Sequence, residues 1–80
     1  MIKKQYPKNY NYKTLYENLN VHRKFEGGVE YIGEKDNKYY LIIDESTLSE
    51  FVGDLDDISI TIIEFENRGE LEQYIFKRKD

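Results

Sequence analysis

The longest run of predominantly apolar positions in the chain spans residues 58–65, with the sequence ISITIIEF. Its first five residues alternate between isoleucine and a small hydroxyl side chain, whereas Ile63 and Phe65 place apolar groups on the opposite face. Alternation has the period of a β-strand, and a strand that is apolar on both faces is usually covered on both sides. The pattern therefore predicts an internal strand against which the other elements pack.

Three shorter segments predict further strands. Residues 29–34 (VEYIGE) form one predicted strand and residues 38–44 (KYYLIID) the next, with Tyr39, Leu41 and Ile43 alternating with Tyr40 and Ile42, and the turn-forming sequence KDNK joins the two strands. Because this connection is short, the two strands are expected to be antiparallel. Residues 21–26 also alternate and precede a Gly-Gly pair that suits a hairpin turn. We favour a strand there over the alternative, a helix that ends at the glycines.

Three segments have the features of amphipathic helices. In residues 12–19, apolar side chains recur at intervals of three and four, which is the period of one helix face. Residues 46–52 begin with a Ser-Thr pair and carry a glutamate three residues after the threonine, as in a capping box. Residues 68–77 follow Asn67, a favoured N-cap residue. The predicted order is α-β-β-β-α-β-α, an α+β fold with a small, mostly antiparallel sheet and helices packed on one face.

The first residues of the chain show no periodicity. Residues 1–11 contain Pro7 and turn-forming asparagines, so we expect a flexible arm or an edge segment there, and a single α+β domain over residues 12–80. The sequence has no cysteine, no apolar run long enough to cross a bilayer, and no apolar stretch of the signal-peptide type after Lys4. A cytoplasmic protein without disulfides is the expectation.

Charge is unevenly distributed along the chain, although the formal net charge is only −4. Residues 44–66 contain eight acidic side chains and no basic one, whereas residues 1–16 contain four lysines and no acidic one. One interpretation is a solvated acidic surface. The functional interpretation is an acidic patch that attracts a basic partner.

The principal functional hypothesis is a non-catalytic inhibitor or regulator of the kind encoded by phages and mobile elements. It would engage a basic, nucleic-acid-binding partner protein by placing carboxylates where phosphates normally lie. The predicted partner-binding residues are Glu45, Glu50, Asp54, Asp56, Asp57, Glu64 and Glu66.

The lysine-rich start of the chain supports an alternative function. In the sequence KKQYPKNYNYK, lysines that can contact phosphates are interleaved with tyrosines that can stack on unpaired bases. A single-stranded nucleic-acid-binding module would use Lys3, Lys4, Lys8, Lys13, Tyr6, Tyr10 and Tyr12. A third possibility is assembly through a tyrosine-rich sheet face that contains Tyr31 and Tyr39.

Signatures of catalysis are missing from the sequence. His22 is the only histidine, no serine has a nucleophile-elbow context, and no glycine-rich phosphate loop is present. The spacing of Asp54, Asp56 and Asp57 differs from that of a calcium-binding loop. We therefore expect no enzymatic activity, no cofactor and no metal site.

Overall fold

The computed structural model describes residues 1–46 and 59–78, which form a five-stranded antiparallel sheet and one helix. The order across the sheet is β1-β5-β4-β3-β2, so β1 and β2 are its edges. The elements are β1 (Ile2–Tyr6), β2 (Glu17–Phe25), β3 (Gly28–Lys35), β4 (Lys38–Asp44), β5 (Ile60–Phe65) and α1 (Arg68–Arg78).

Strand β5 is internal and buried on both faces, as its sequence predicts. Ile60 and Ile62 lie on one face of the sheet, where residues from the connection between β1 and β2 pack over them. Ile63 and Phe65 lie on the other face, beneath α1. We call these the tyrosine face and the helix face, because the connection over the first is rich in tyrosine.

The hairpin between β3 and β4 is confirmed. Asp36 and Asn37 form its two-residue turn, and both have positive φ, at 52° and 67°. Such a turn matches the twist of the strands that it joins. Strand β2 contains residues 21–25 of the strand favoured for residues 21–26, and the turn after it is formed by Glu26 and Gly27, the latter with φ 95°. The predicted turn at the Gly-Gly pair is therefore shifted by one residue, because Gly28 already pairs with Phe25 in the ladder.

Helix α1 begins where its capping residues indicate. The Asn67 side-chain oxygen accepts a hydrogen bond from the Glu70 backbone N–H at 3.0 Å, as expected of an N-cap. The Glu70 carboxylate in turn accepts a hydrogen bond from the Glu66 backbone N–H at 3.0 Å. The helix packs against the core of the helix face through Leu71, Tyr74 and Ile75.

The predicted order α-β-β-β-α-β-α is wrong. Residues 12–19 form no helix: Leu15 N–H donates to the Tyr12 carbonyl at 3.0 Å in a turn, and β2 begins at Glu17. Tyrosine, asparagine and threonine have low helix propensity, and here Tyr12, Tyr16 and Leu19 pack onto the sheet from a turn and an irregular strand. Leu15, the fourth apolar residue of the predicted helix face, is exposed. Asn18, with φ 53°, lies at one of the register shifts of that strand.

The prediction that helices pack on one face of the sheet is also incomplete, because it does not include the layer that covers the opposite face. The connection between β1 and β2 covers the tyrosine face, and β1 itself lies within the segment interpreted as a flexible arm or an edge segment. The helix predicted over residues 46–52 lies outside the described residues, apart from Ser46. In the two described stretches, no helix combines the length and apolar character needed to cross a membrane.

Candidate nucleic-acid interface

A pocket of about 180 Å³ opens on the tyrosine face. Strands β1, β3, β4 and β5 and the connection between β1 and β2 all contribute to its lining. The lining combines aromatic rings with charged groups of both signs. The residues that matter for its chemistry are Lys4, Tyr6, Tyr10, Tyr16, Lys35, Tyr40 and Glu64.

The aromatic side chains of the pocket form two pairs. The rings of Tyr6 and Tyr10 are stacked, with centroids 4.0 Å apart and planes inclined by 11°. The rings of Tyr16 and Tyr40 are tilted by 53°, with centroids 4.9 Å apart. Both geometries are favourable for aromatic pairs, so the rings support one another in place.

Gly33 explains why Tyr16 can lie so close to the sheet. Gly33 pairs with Tyr40 across the β3–β4 ladder. A Cβ at this glycine would lie 2.9 Å from Leu19 Cδ1 and 3.1 Å from Tyr16 Cβ, which is too close for normal packing. Burial, with smaller effects from neighbouring tyrosines, raises the pKa of Tyr16 to about 12. Its hydroxyl is therefore neutral at physiological pH.

Glu64 supplies a fixed carboxylate to the pocket. The Tyr40 hydroxyl donates to Glu64 Oε1 at 3.1 Å, and Lys38 Nζ donates to Oε2 at 3.3 Å. Desolvation alone would raise the pKa of Glu64, but the hydrogen bonds from Tyr40 and Lys38 and the charges of Lys38 and Lys4 lower it overall. The side chain is 22% exposed, so an ionised carboxylate is accessible from the pocket.

Among the strand residues on the tyrosine face, lysines outnumber carboxylates. Strand pairing places Lys4, Lys24, Lys35 and Lys38 on this face, together with the carboxylates of Asp44 and Glu64. Each of these carboxylates accepts a hydrogen bond from a tyrosine hydroxyl. Within the covering connection, Lys13 lies 5.9 Å from the ring centre of Tyr31.

The structure brings together only part of the nucleic-acid-binding set predicted from sequence. Lys4, Tyr6 and Tyr10 line the pocket. Tyr12 is 3% exposed and donates a hydrogen bond to Asp44, so its ring is part of the core. Lys3 pairs with Ile63 and lies on the helix face, while Lys8 and Lys13 belong to the covering connection. Tyr16, Lys35 and Tyr40 lie in different elements, and the sequence pattern gives no signal that they converge.

The predicted acidic site is only partly described. Glu50, Asp54, Asp56 and Asp57 lie outside the described residues. Glu64 and Glu66 share Lys38, whose Nζ lies 3.3 Å and 3.5 Å from their respective carboxylates. Glu45 is partly buried, and its backbone N–H donates to the Ser59 carbonyl at 2.7 Å. That bond holds the two ends of the connection between β4 and β5 together.

The excess of acidic over basic residues comes from two short parts of the sequence. Five of the 16 acidic residues and one of the 12 basic residues lie outside the described residues, which leaves 11 of each sign within them. The formal charge of −4 therefore arises from residues 47–58 and 79–80. Four acidic side chains and no basic one fall within residues 47–58.

The surface suggested for assembly does not exist as one patch. Tyr31 pairs with Ile42 and lies on the tyrosine face, whereas Tyr39 pairs with Phe65 and lies on the helix face. Among residues 1–46 and 59–78, no three His, Asp or Glu side chains are grouped so that they could hold a metal ion.

No family model, curated protein or solved structure matches this chain.

Proposed function

We propose that the chain is a non-catalytic binding module whose tyrosine face binds single-stranded nucleic acid. The observation that carries this proposal is the pocket in which Tyr6, Tyr10 and Tyr16 lie beside Lys4 and Lys35. Tyrosine rings offer stacking surfaces to unpaired bases, and lysines neutralise the adjacent phosphates. Both kinds of group are needed for this class of ligand, and both are present on one face.

The size of the pocket favours a single base over a larger ligand. Pockets for drug-sized molecules have volumes of roughly 300–1,000 Å³, whereas this pocket has about 180 Å³. A base can enter such a pocket only when it is unstacked and unpaired, which is the state found in single strands and loops. Lysine contacts phosphate as a point charge, so the lysines would contribute affinity without reading sequence.

A matched pair of charge reversals on β1 tests the proposal. Lys4 lines the pocket, whereas its neighbour Lys3 lies on the helix face, so the same substitution changes the charge equally at both positions. We expect Lys4→Glu to weaken binding of a labelled single-stranded oligonucleotide by about tenfold and Lys3→Glu to have little effect. Fluorescence anisotropy at fixed salt concentration measures both affinities.

Absence of binding by the unsubstituted chain, or equal losses in the two variants, would contradict the proposal. Deletion of residues 1–11 is a poorer test, because it removes the strand that pairs with β5.

A second candidate function is binding of a basic protein through the acidic residues of the 45–66 stretch. It is favoured by the charge balance, since the described residues contain equal numbers of acidic and basic side chains, and the sequence of residues 47–58 contains four acidic residues and no basic one. Those carboxylates would occupy a phosphate-binding site of a nucleic-acid-binding partner. Reversal of Glu50, Asp54 and Asp56 to lysine should then abolish capture of a partner that single-stranded DNA displaces. Capture that survives the reversal would contradict this candidate.

A further inference from the structure

We infer that the pocket on the tyrosine face selects guanine and that the carboxylate of Glu64 reads the base. The inference rests on the proposed nucleic-acid-binding function and specifies which base the same site accepts. It follows from the hydrogen-bonding groups of Glu64 and from the donors and acceptors that each base presents.

Guanine is the standard base that presents two adjacent N–H donors, N1–H and the 2-amino group, on its pairing edge. Adenine and cytosine each present an amino donor beside an acceptor nitrogen, and thymine and uracil present one N–H between two carbonyl groups. Protein side chains commonly recognise bases in single strands along this edge. A carboxylate accepts hydrogen bonds and donates none when ionised, so it pairs best with two donors side by side.

Glu64 has the remaining acceptor capacity that such recognition needs. Tyr40 donates to one of its oxygens and Lys38 donates to the other. Because an ionised carboxylate has about four acceptor positions, each oxygen can still accept another hydrogen bond. The two existing bonds also hold the carboxylate in one orientation, which reduces the entropy lost when a base binds. An acceptor on the incoming base would face this negative charge and be rejected.

The other groups of the pocket fit a nucleotide better than a simple cation, which is the other kind of ligand that a carboxylate attracts. Tyr6, Tyr10 and Tyr16 provide aromatic surface beside Glu64, and Lys4 and Lys35 provide positive charge. A simple cation would be attracted by Glu64 but repelled by the two lysines. A guanine nucleotide offers a ring to the tyrosines, donors to the carboxylate and a phosphate to the lysines.

Substitution of one atom group in the nucleic acid tests the inference without altering the protein. Two single-stranded oligonucleotides would differ only in one central base, guanine or hypoxanthine, the latter lacking the 2-amino group. We expect the hypoxanthine oligonucleotide to bind about fivefold more weakly, because one hydrogen bond of a bidentate pair is lost. An oligonucleotide with 7-deazaguanine, which keeps the pairing edge, should bind as the guanine oligonucleotide does.

A matched pair of variants assigns the discrimination to Glu64. Glu64→Gln should abolish the fivefold preference, whereas Glu66→Gln should keep it. Glu66 also contacts Lys38, at 3.5 Å, but it does not line the pocket. Thermal unfolding of both variants checks that the fold is intact.

The possible results separate this inference from the function on which it rests. Equal affinity for guanine and hypoxanthine, or a preference that persists in Glu64→Gln, would overturn guanine selection while leaving single-stranded binding in place. Failure of every single-stranded oligonucleotide to bind would overturn both.

Discussion

Tyrosines of one face have two different roles in this protein. Tyr12 is buried and donates a hydrogen bond to Asp44, which is 32 residues away in sequence, so it belongs to the core. Tyr6, Tyr10 and Tyr16 instead line a pocket that opens to the surface. The interleaving of lysine and tyrosine in the sequence draws attention to this region. It does not distinguish the two roles, because the difference depends on partners that are distant along the chain.

The raised pKa of Tyr16 leads to a prediction about stability at high pH. In the unfolded chain Tyr16 ionises near its ordinary pKa of 10.0, whereas burial in the folded protein raises the pKa to about 12. The folded state therefore holds this proton more tightly, and the stability it contributes is complete below pH 10 and is lost as the pH rises toward 12. We expect the free energy of unfolding to fall over that range and to fall less steeply in Tyr16→Phe.

Urea unfolding at several pH values between 9 and 12 measures this slope. Burial also raises the pKa values of Tyr10, Tyr12 and Tyr40, so part of the slope should remain in the variant. An identical slope in the variant and the unsubstituted chain would contradict the prediction.

At the scale of elements, a buried carboxylate joins two strands to the helix. Glu30 in β3 is 2% exposed. Arg23 in β2 donates to it at 3.1 Å, and Arg78 near the end of α1 donates to its two oxygens at 3.1 Å and 2.9 Å. The cluster therefore fixes the end of the helix against the edge of the sheet.

Removal of this charge should destabilise the fold substantially. We expect Glu30→Gln to lower the free energy of unfolding by about 3 kcal/mol, near the lower end for a broken buried ion pair, because both arginines are partly exposed. The control is Glu72→Gln, which breaks an exposed ion pair with Arg68 and should change stability little. Similar losses in both variants, measured by urea unfolding, would contradict the role assigned to Glu30.

The elements differ in how well sequence patterns predict them. Strands β3, β4 and β5 and helix α1 have local signals, namely alternation, turn residues and a capping sequence, that agree with their final structure. In residues 12–19 the helical spacing of apolar positions is misleading, because a turn followed by an irregular strand brings Tyr12, Tyr16 and Leu19 to the core without a helix. Strand β1 is short and largely exposed at the sheet edge, so it lacks an alternating apolar pattern.

At the scale of the whole molecule, sheet topology creates the candidate site. The order β1-β5-β4 places the first strand of the chain beside the last, so Lys4 of β1 and Glu64 of β5 line the same pocket. Along the sequence these residues belong to a basic segment and an acidic segment that suggest separate functions. No local pattern predicts this pairing of distant strands, and for that reason the pocket could not be derived from the sequence.

The most direct measurement is a nuclear magnetic resonance titration of the isotope-labelled full chain with a guanine-containing single-stranded oligonucleotide. Changes in backbone amide signals report which residues lie near the bound ligand. We expect the changes to centre on Lys4, Tyr6, Tyr16, Lys35, Tyr40 and Glu64, with little change along α1. Changes confined to α1, or no change at a large excess of oligonucleotide, would contradict the assignment of the tyrosine face as the binding surface.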